Sequence, residues 1–168
     1  MNLILQNIVR YLVLVLVQVL ILNNIHFLGF VNPYLYVLFI LALPLNMSRS
    51  LLLVLAFVLG LSIDTFVGTP GVHAFACVFV AFVREPLLKL LLPRDDNHEL
   101  FTPSMRSLGE GVYLKYAVLM VFIHHIVLFL IEAFSFQHFG FLLLRIVASS
   151  LFTLVLLLGI ERLKLHNR

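Results

Sequence analysis

The residue in the best position for chemistry is an aspartate at the end of a long apolar stretch. Asp64 follows the apolar residues 51–63 and precedes residues 65–71, which are rich in Gly, Thr and Pro. Such a turn leads into a second apolar stretch, where the first N–H groups of the next helix need an acceptor. We expect the Asp64 carboxylate to cap that helix, because the helix dipole also favours an anion. The alternative is a contact with a ligand or partner.

A second charge lies inside an apolar stretch nearer the end of the chain. Arg145 has two candidate partners, Asp64 and Glu132, and their positions in the sequence do not decide between them. Removing one partner of a buried pair leaves an unpaired charge in a low-dielectric environment, which is strongly destabilising. We therefore expect a structural ion pair that fixes helix packing rather than a substrate clamp.

Histidines are the remaining residues with chemical potential. His124 and His125 lie together in an apolar stretch, His73 follows the turn, and His138 comes before the last apolar stretch. Adjacent residues point to different faces of a helix, so His124 and His125 do not form the i, i+4 pair of helical zinc sites. The sequence predicts that these histidines and Gln18 either form hydrogen bonds between helices or line a small polar cavity, and it predicts no metal site.

Other catalytic signatures are missing from the sequence. It has no Gly-rich phosphate loop ending in Lys-Ser/Thr, no G-x-S-x-G and no histidine–glutamate zinc motif. A single cysteine, Cys77, cannot form an internal disulfide. A net charge of +3 is too small for a nucleic-acid surface. We expect no catalytic residue, no cofactor and no nucleic-acid partner.

The composition identifies the class of protein that must position these residues. Of 168 residues, 62% are hydrophobic and 11% are charged, whereas a soluble domain has about 25% charged residues. A soluble enzyme and a disordered chain are both excluded. The sequence predicts one integral membrane domain over residues 1–168, with an all-α fold in the form of a polytopic helical bundle.

Apolar stretches of about 20 residues predict about six transmembrane helices. Residues 11–48 carry no charge and would form ~57 Å of helix, too long for one crossing, so a helical hairpin is expected there. Pro70 is expected in the first turn of the fourth span. The predicted spans are 8–28, 34–46, 50–66, 70–83, 112–134 and 139–161. If residues 34–46 are instead re-entrant or interfacial, five spans with an outside N-terminus result.

The positions of Lys and Arg predict the orientation, since cytoplasmic loops carry an excess of them. With six spans, ten basic residues fall on one side: Arg10, Arg49, Arg84, Lys89, Arg94, Arg106, Lys115, Arg162, Lys164 and Arg168. Both termini are then cytoplasmic. Tyr34 and Tyr36 fit an outer aromatic belt, and Tyr113 and Tyr116 an inner one.

A polar, amphipathic segment at residues 84–111 falls on the cytoplasmic side. Its first part, residues 84–94, is expected either to extend the fourth span with a break at Pro86 or to lie in the membrane interface. Acidic residues follow at 95–99. Small residues at Gly60, Ser62, Ala74 and Ala76 predict that the third and fourth spans pack closely at the centre of the bundle.

The sequence from Gly60 to Ala74 resembles the MreD family of bacterial rod-shape proteins. The residues that carry the resemblance are Gly-Leu-Ser-Ile-Asp at 60–64 and Gly-Thr-Pro-Gly-Val-His-Ala at 68–74. The length, the six-span layout and the basic inner loop also fit. The histidines at 73, 124 and 125 depart from a generic member of the family, and no role carries over to them.

The resemblance implies a non-enzymatic membrane subunit of the cell-elongation complex (the elongasome), which scaffolds peptidoglycan synthesis and so determines cell shape. It also implies a location in the inner (cytoplasmic) membrane of a bacterial cell. The implied partners are an MreC-like periplasmic protein and the cell-wall synthase pair of RodA and a class B penicillin-binding protein. MreB filaments are implied as an indirect partner, and self-association is left open. The family's bundle is thought to be similar to the vitamin-binding S components of transporters. The structural or partner-contact candidates are Gly60, Asp64, Gly68, Pro70, Gly71 and Arg145.

Two other functions compete with this one. A vitamin-binding S component could line an outward-facing cavity with Asp64, His73, His125 and Arg145, although polar groups are scarce there for a ligand pocket. An intramembrane enzyme would depend on His124 or His125, and substitution of either by Ala should then abolish activity. The scaffold is the favoured hypothesis.

Overall fold

The computed structural model of the chain describes residues 3–25, 29–92, 102–133 and 139–166. Within them it has seven α-helices and no β-strand, which confirms the predicted all-α class. The helices are α1 (Leu3–Leu20), α2 (Val37–Leu41), α3 (Arg49–Val67), α4 (Val72–Leu91), α5 (Met105–Leu108), α6 (Glu110–Ala133) and α7 (Phe139–His166). A short 3-10 turn, Leu22–Asn24, follows α1.

Four of the helical stretches in these residues are long and apolar enough to cross a membrane. They are Ile4–Asn24, Arg49–Val67, Glu110–Ala133 and Phe139–His166. They correspond to the first, third, fifth and sixth predicted spans. The first helix ends earlier than predicted, at Leu20, and residues 26–28 of that span lie outside the described residues. The last helix is longer than predicted and continues to His166.

The second predicted span differs most from expectation. Instead of a helix over residues 34–46, the chain forms only the five residues of α2. Pro33 and Pro44 bracket this segment, and proline restricts the residue before it and has no N–H of its own. All residues from 34 to 43 are buried, so this part of the chain fills the centre of the bundle. We refer to residues 32–43 as the central segment.

The fourth predicted span is a continuous helix that runs well past its predicted end. Pro86 lies inside α4 and does not break it, so the predicted break is wrong. An ion pair at 2.6 Å between Glu85 and Lys89 joins the two sides of Pro86, and the buried Leu88 packs on the core. The helix begins at Val72, so Pro70 precedes it rather than occupying its first turn.

The rest of the predicted polar segment is partly described. Residues 93–101, with the acidic group at 95–99, lie outside the described residues. Residues 102–108 include α5, which begins with a capping box between Ser104 and Ser107. Met105 and Leu108 are buried, so α5 packs its apolar side on the bundle next to the start of α6.

Contacts between neighbouring helices define two ends of the bundle. At the end we call the turn end, residues 64–74 connect α3 to α4, and Tyr36 contacts both His73 and His124. At the opposite end, the arginine end, Arg84 of α4 contacts Tyr116 of α6. The helices α3, α4, α6 and α7 therefore run alternately up and down, with α1 packed against α3.

Candidate functional site

The turn between α3 and α4 uses two glycines in a conformation that other residues rarely adopt. Gly68 ends α3 with a φ of 76°, and Gly71 precedes α4 with a φ of 82°. The Gly68 N–H donates to the Asp64 carbonyl oxygen at 2.8 Å, which closes the last turn of α3. A side chain at either position would be strained. The two predicted glycines thus allow α3 to reverse into α4 within a few residues.

The Asp64 carboxylate caps α4. Its Oδ1 accepts from the His73 N–H at 3.0 Å and from the Thr69 hydroxyl at 2.6 Å, and its Oδ2 accepts from the Ala74 N–H at 2.8 Å. These amides belong to the first turn of a helix whose own N-cap residue, Gly71, has no side chain. The geometry therefore agrees with the capping role, and with 3% of its surface exposed Asp64 offers little surface to a partner.

Close packing of α3 on α4 depends on Gly60. A Cβ atom at this position would lie 2.4 Å from the Ala74 Cα and 2.5 Å from the His73 carbonyl oxygen. Both of those are backbone atoms that cannot move aside as a flexible side chain would. The predicted close approach of these two helices is confirmed, and it holds the Asp64 carboxylate against the start of α4.

The surface that the turn presents is apolar. Phe66 has 65% of its surface exposed and Val67 has 44%, and Thr65 and Pro70 are exposed beside them. Gly60 and Asp64, by contrast, support this surface from inside. We refer to Thr65, Phe66, Val67 and Pro70 as the turn surface.

Tyr36 joins the central segment to two helices. Its hydroxyl lies 2.7 Å from His73 Nδ1 and 3.0 Å from His124 Nε2, and all three side chains are buried. The hydroxyl has a single proton, so one imidazole must donate to the Tyr36 oxygen while the other accepts from it. His124 Nδ1 is buried without a partner in the described residues.

His125 makes a separate connection, between α6 and α7. Its Nδ1 lies 2.8 Å from the Val121 carbonyl oxygen, which can only accept, so Nδ1 carries the proton. Its Nε2 lies 3.1 Å from the Thr153 hydroxyl. The Thr153 oxygen also accepts from the Tyr34 N–H at 3.0 Å. His124 and His125 therefore hydrogen-bond to different helices or segments, as the sequence predicted.

Side chains of the surrounding helices satisfy the first part of the central segment. Gln18 donates through Nε2 to the Pro33 carbonyl oxygen at 2.9 Å and accepts from the Leu35 N–H at 2.9 Å. The Ser149 hydroxyl accepts from the Asn32 N–H at 3.2 Å. Irregular backbone is tolerated at membrane depth only when protein groups replace the missing helical bonds, and Gln18 and Ser149 supply such groups.

Three successive carbonyl groups are satisfied at the arginine end. The Tyr116 hydroxyl donates to the Leu41 oxygen at 3.2 Å, and Arg10 Nη1 donates to the Ala42 oxygen at 2.8 Å. Arg84 donates to the Leu43 oxygen. Cations are favourable at the C-terminus of a helix such as α2. Arg10 and Arg84 thus hold the last part of the central segment, residues 41–43, in place.

The tyrosines were not predicted to have these roles. Tyr34, Tyr36, Tyr113 and Tyr116 have between 0% and 5% of their surface exposed, so they do not form aromatic belts at the membrane surfaces. Their sequence positions near the predicted ends of spans are equally compatible with a belt and with a core. Only the path of the central segment distinguishes the two.

Arg145 pairs with Glu132 and not with Asp64. Its Nη2 lies 3.1 Å from Glu132 Oε1, and its guanidinium centre lies 4.5 Å from the centre of the Phe129 ring. The pair joins the end of α6 to the start of α7 at the turn end. Of the sequence-predicted site residues, Gly60, Asp64, Gly68, Pro70 and Gly71 therefore come together at one turn, and Arg145 lies elsewhere.

Within residues 3–25, 29–92, 102–133 and 139–166, no three His, Cys, Asp or Glu side chains are arranged to hold a metal ion. The network of Tyr36, His73 and His124 is a set of hydrogen bonds between buried side chains. His138 lies outside the described residues. No protein-family model, curated protein or solved structure matches the chain.

Proposed function

We propose that the chain is a non-enzymatic membrane subunit of the bacterial cell-elongation complex, as its resemblance to the MreD family implies. In this proposal the turn surface binds a single-span, MreC-like periplasmic protein. Through that protein the chain scaffolds the cell-wall synthase pair of RodA and a class B penicillin-binding protein, and it contacts MreB filaments indirectly. The turn end faces the periplasm and the arginine end faces the cytosol.

The observation that carries the proposal is the construction of the turn from the residues that define the resemblance. Gly60 allows α4 to approach α3, and Asp64 ties the first turn of α4 to the end of α3. Phe66 and Val67 are thereby held exposed on a rigid support. A pre-organised apolar surface loses little conformational entropy when a partner binds, which suits a scaffold.

The positions of the chain segments support a six-pass arrangement. Arg10, near the start of α1, reaches the Ala42 carbonyl oxygen, and Arg49 follows soon afterwards at the same end of the bundle. The chain therefore runs from the arginine end to the turn end in α1 and back to the arginine end through the central segment. That segment acts as an irregular second pass. The 20 residues of α4 span about 30 Å, enough for the fourth pass. The five-span alternative would separate Arg10 from the other basic residues.

The filled centre of the bundle favours a scaffold over a solute carrier. Residues 34–43 occupy the interior that an S component would need for its vitamin, and Tyr36 bonds to His73 and His124 there. We propose that the bundle shares the S-component architecture without the solute site. A ligand-dependent rise in melting temperature on adding vitamins to the purified protein would contradict this view.

Substitutions on the turn surface test the proposal. Phe66→Ala and Val67→Ala remove exposed side chains and leave the Asp64 cap intact, so capture of the MreC-like protein from solubilised membranes should fall while the protein level stays normal. Rod shape should be lost in the same cells. Phe57→Ala, which removes a 49% exposed phenylalanine in the middle of α3, is the matched control and should change neither.

Asp64→Ala tests the support beneath that surface. Because it releases the first turn of α4, both partner capture and rod shape should be impaired. If Asp64→Ala and the two turn-surface variants all retained normal capture and shape, the proposed function would be wrong.

A further inference from the structure

One face of α4 is a stripe of exposed phenylalanines. Phe75, Phe79 and Phe82 follow each other at helical spacing, with 56%, 40% and 52% of their surfaces exposed. The rings of Phe75 and Phe79 are stacked, with centroids 6.5 Å apart. The stripe extends for about 10 Å along the helix and runs from near the turn end toward the arginine end.

A cation lies at the arginine end of this stripe. The guanidinium centre of Arg49, an exposed residue, is 4.5 Å from the centre of the Phe82 ring. None of the ion pairs found among the described residues includes Arg49. A guanidinium stacked on a ring keeps the N–H donors at its edge available, and their planar arrangement matches a phosphate group.

The charges next to Arg49 leave this end of α4 positive. Lys89 lies on the same face and pairs with Glu85 at 2.6 Å, with both side chains largely exposed. Arg49 and Arg84 are the other two cations near the Glu85 carboxylate. Arg84 itself is buried and bonded to the Leu43 carbonyl oxygen. The negative charge of Glu85 thus neutralises one of the three positive charges near it.

The start of α3 adds a second preference for an anion. Arg49 is the first residue of α3, and the Ser48 hydroxyl accepts from the Leu51 N–H at 3.4 Å. The remaining N–H groups of the first turn have no acceptor within the helix. The helix dipole disfavours the Arg49 cation at this position and would favour a negative group beside it.

We propose that this face of α3 and α4 binds an anionic phospholipid, with its phosphate at Arg49 and an acyl chain along Phe82, Phe79 and Phe75. The site is charged at the membrane surface and apolar below it, which matches the headgroup and the acyl chain of a phospholipid. A zwitterionic phospholipid offers the same acyl chain and phosphate, but the cation of its headgroup cancels the negative charge and is repelled by the basic residues here. With the orientation proposed above, the lipid belongs to the cytoplasmic leaflet, where anionic lipids attract basic segments. The proposal requires membrane residence but not a role in cell elongation.

The test is lipid binding by the purified full-length protein in detergent micelles. Phosphatidylglycerol and phosphatidylcholine with the same acyl chains are titrated separately, and retained lipid is counted by native mass spectrometry. We expect tighter binding of phosphatidylglycerol by the wild type. Arg49→Gln should weaken that binding about tenfold, which is the effect of one charge-assisted contact. It should weaken phosphatidylcholine binding by less, because the choline cation already offsets the charge of that phosphate.

Two further variants separate a specific site from a general attraction of opposite charges. Arg106→Gln removes an exposed arginine elsewhere at the arginine end and should have no effect on phosphatidylglycerol binding. Phe82→Leu keeps the apolar surface but removes the ring under Arg49, and it should weaken phosphatidylglycerol binding part of the way. Equal binding of the two lipids by the wild type, or equal losses in Arg49→Gln and Arg106→Gln, would overturn the proposal.

Discussion

Single residues at the contact of α3 and α4 stabilise the turn between these helices. The backbones of the two helices meet at Gly60, and Asp64 one turn later satisfies the amides that this contact encloses. The two residues act on the same interface by different means, one through shape and the other through hydrogen bonds. Their substitution should therefore destabilise the protein for different physical reasons.

Gly60→Ala should lower the free energy of unfolding by about 1–3 kcal/mol, the usual cost of overpacking an interior. The added methyl group would lie within 2.6 Å of three backbone atoms of His73 and Ala74, so the helices must separate. Equilibrium unfolding in detergent micelles measures the change.

Gly159→Ala is the matched control for this substitution. Gly159 is also a helical glycine, but a Cβ there meets nothing within 4 Å. Alanine is the better helix former by about 1 kcal/mol, so this variant should be as stable as the wild type or more stable. Equal destabilisation by both changes would show that the close α3–α4 contact is not the cause.

Asp64→Ala should cost about 2 kcal/mol, because two amides of α4 and the Thr69 hydroxyl lose their acceptor. Asp64→Asn keeps one acceptor oxygen and should fall between the wild type and Asp64→Ala. Hydrogen exchange of the His73 and Ala74 amides is the specific readout, and it should accelerate in the same order. Unchanged exchange at these two amides would argue against the cap.

The hydrogen-bond partners of a side chain were predictable from the sequence where they are close to it along the chain. Asp64 caps amides nine and ten positions later, and the turn residues between them indicate that geometry. Tyr36 meets His124 across 88 positions, and no spacing rule reports such a contact. The choice between Asp64 and Glu132 as the partner of Arg145 was open for a different reason, because both carboxylates are predicted at the same end of the bundle as Arg145.

At the level of elements, length and apolar character predicted α3, α6 and α7 well, because a helix needs only its own residues to form its backbone bonds. The central segment was different. Prolines at 33 and 44 limit its helix to five residues, and the remaining backbone groups depend on side chains from α1, α4, α6 and α7. Its structure therefore cannot be derived from its own sequence.

Gln18→Leu tests this dependence. Leucine has a similar volume, so the main effect is the loss of partners for the Pro33 carbonyl group and the Leu35 N–H inside the bundle. Two buried polar groups left without partners should cost about 2–4 kcal/mol, and hydrogen exchange at Leu35 should accelerate. Leu12→Ala, at a position of α1 that is 52% exposed, should leave the Leu35 exchange rate unchanged.

For the whole molecule, the distribution of charge predicts which end faces the cytosol. The arginine end carries most of the described basic residues, namely Arg10, Arg49, Arg84, Lys89, Arg106, Lys115, Arg162 and Lys164. Among the described residues toward the turn end, Arg145 is the lone cation, and it is paired with Glu132. By the positive-inside rule we therefore propose that the arginine end faces the cytosol.

Cysteine labelling in intact cells measures this orientation directly. Cys77 is fully buried and is first replaced by Ser, so that each test position carries the sole thiol. A membrane-impermeant maleimide should label Thr65→Cys at the turn end without permeabilisation, because that residue is exposed and should face the periplasm. Arg106→Cys, in α5 beside the start of α6, should be labelled only after the cytoplasmic membrane is permeabilised. Labelling of Arg106→Cys in intact cells would show that the bundle has the opposite orientation. The turn surface would then face the cytosol and could not meet a periplasmic partner.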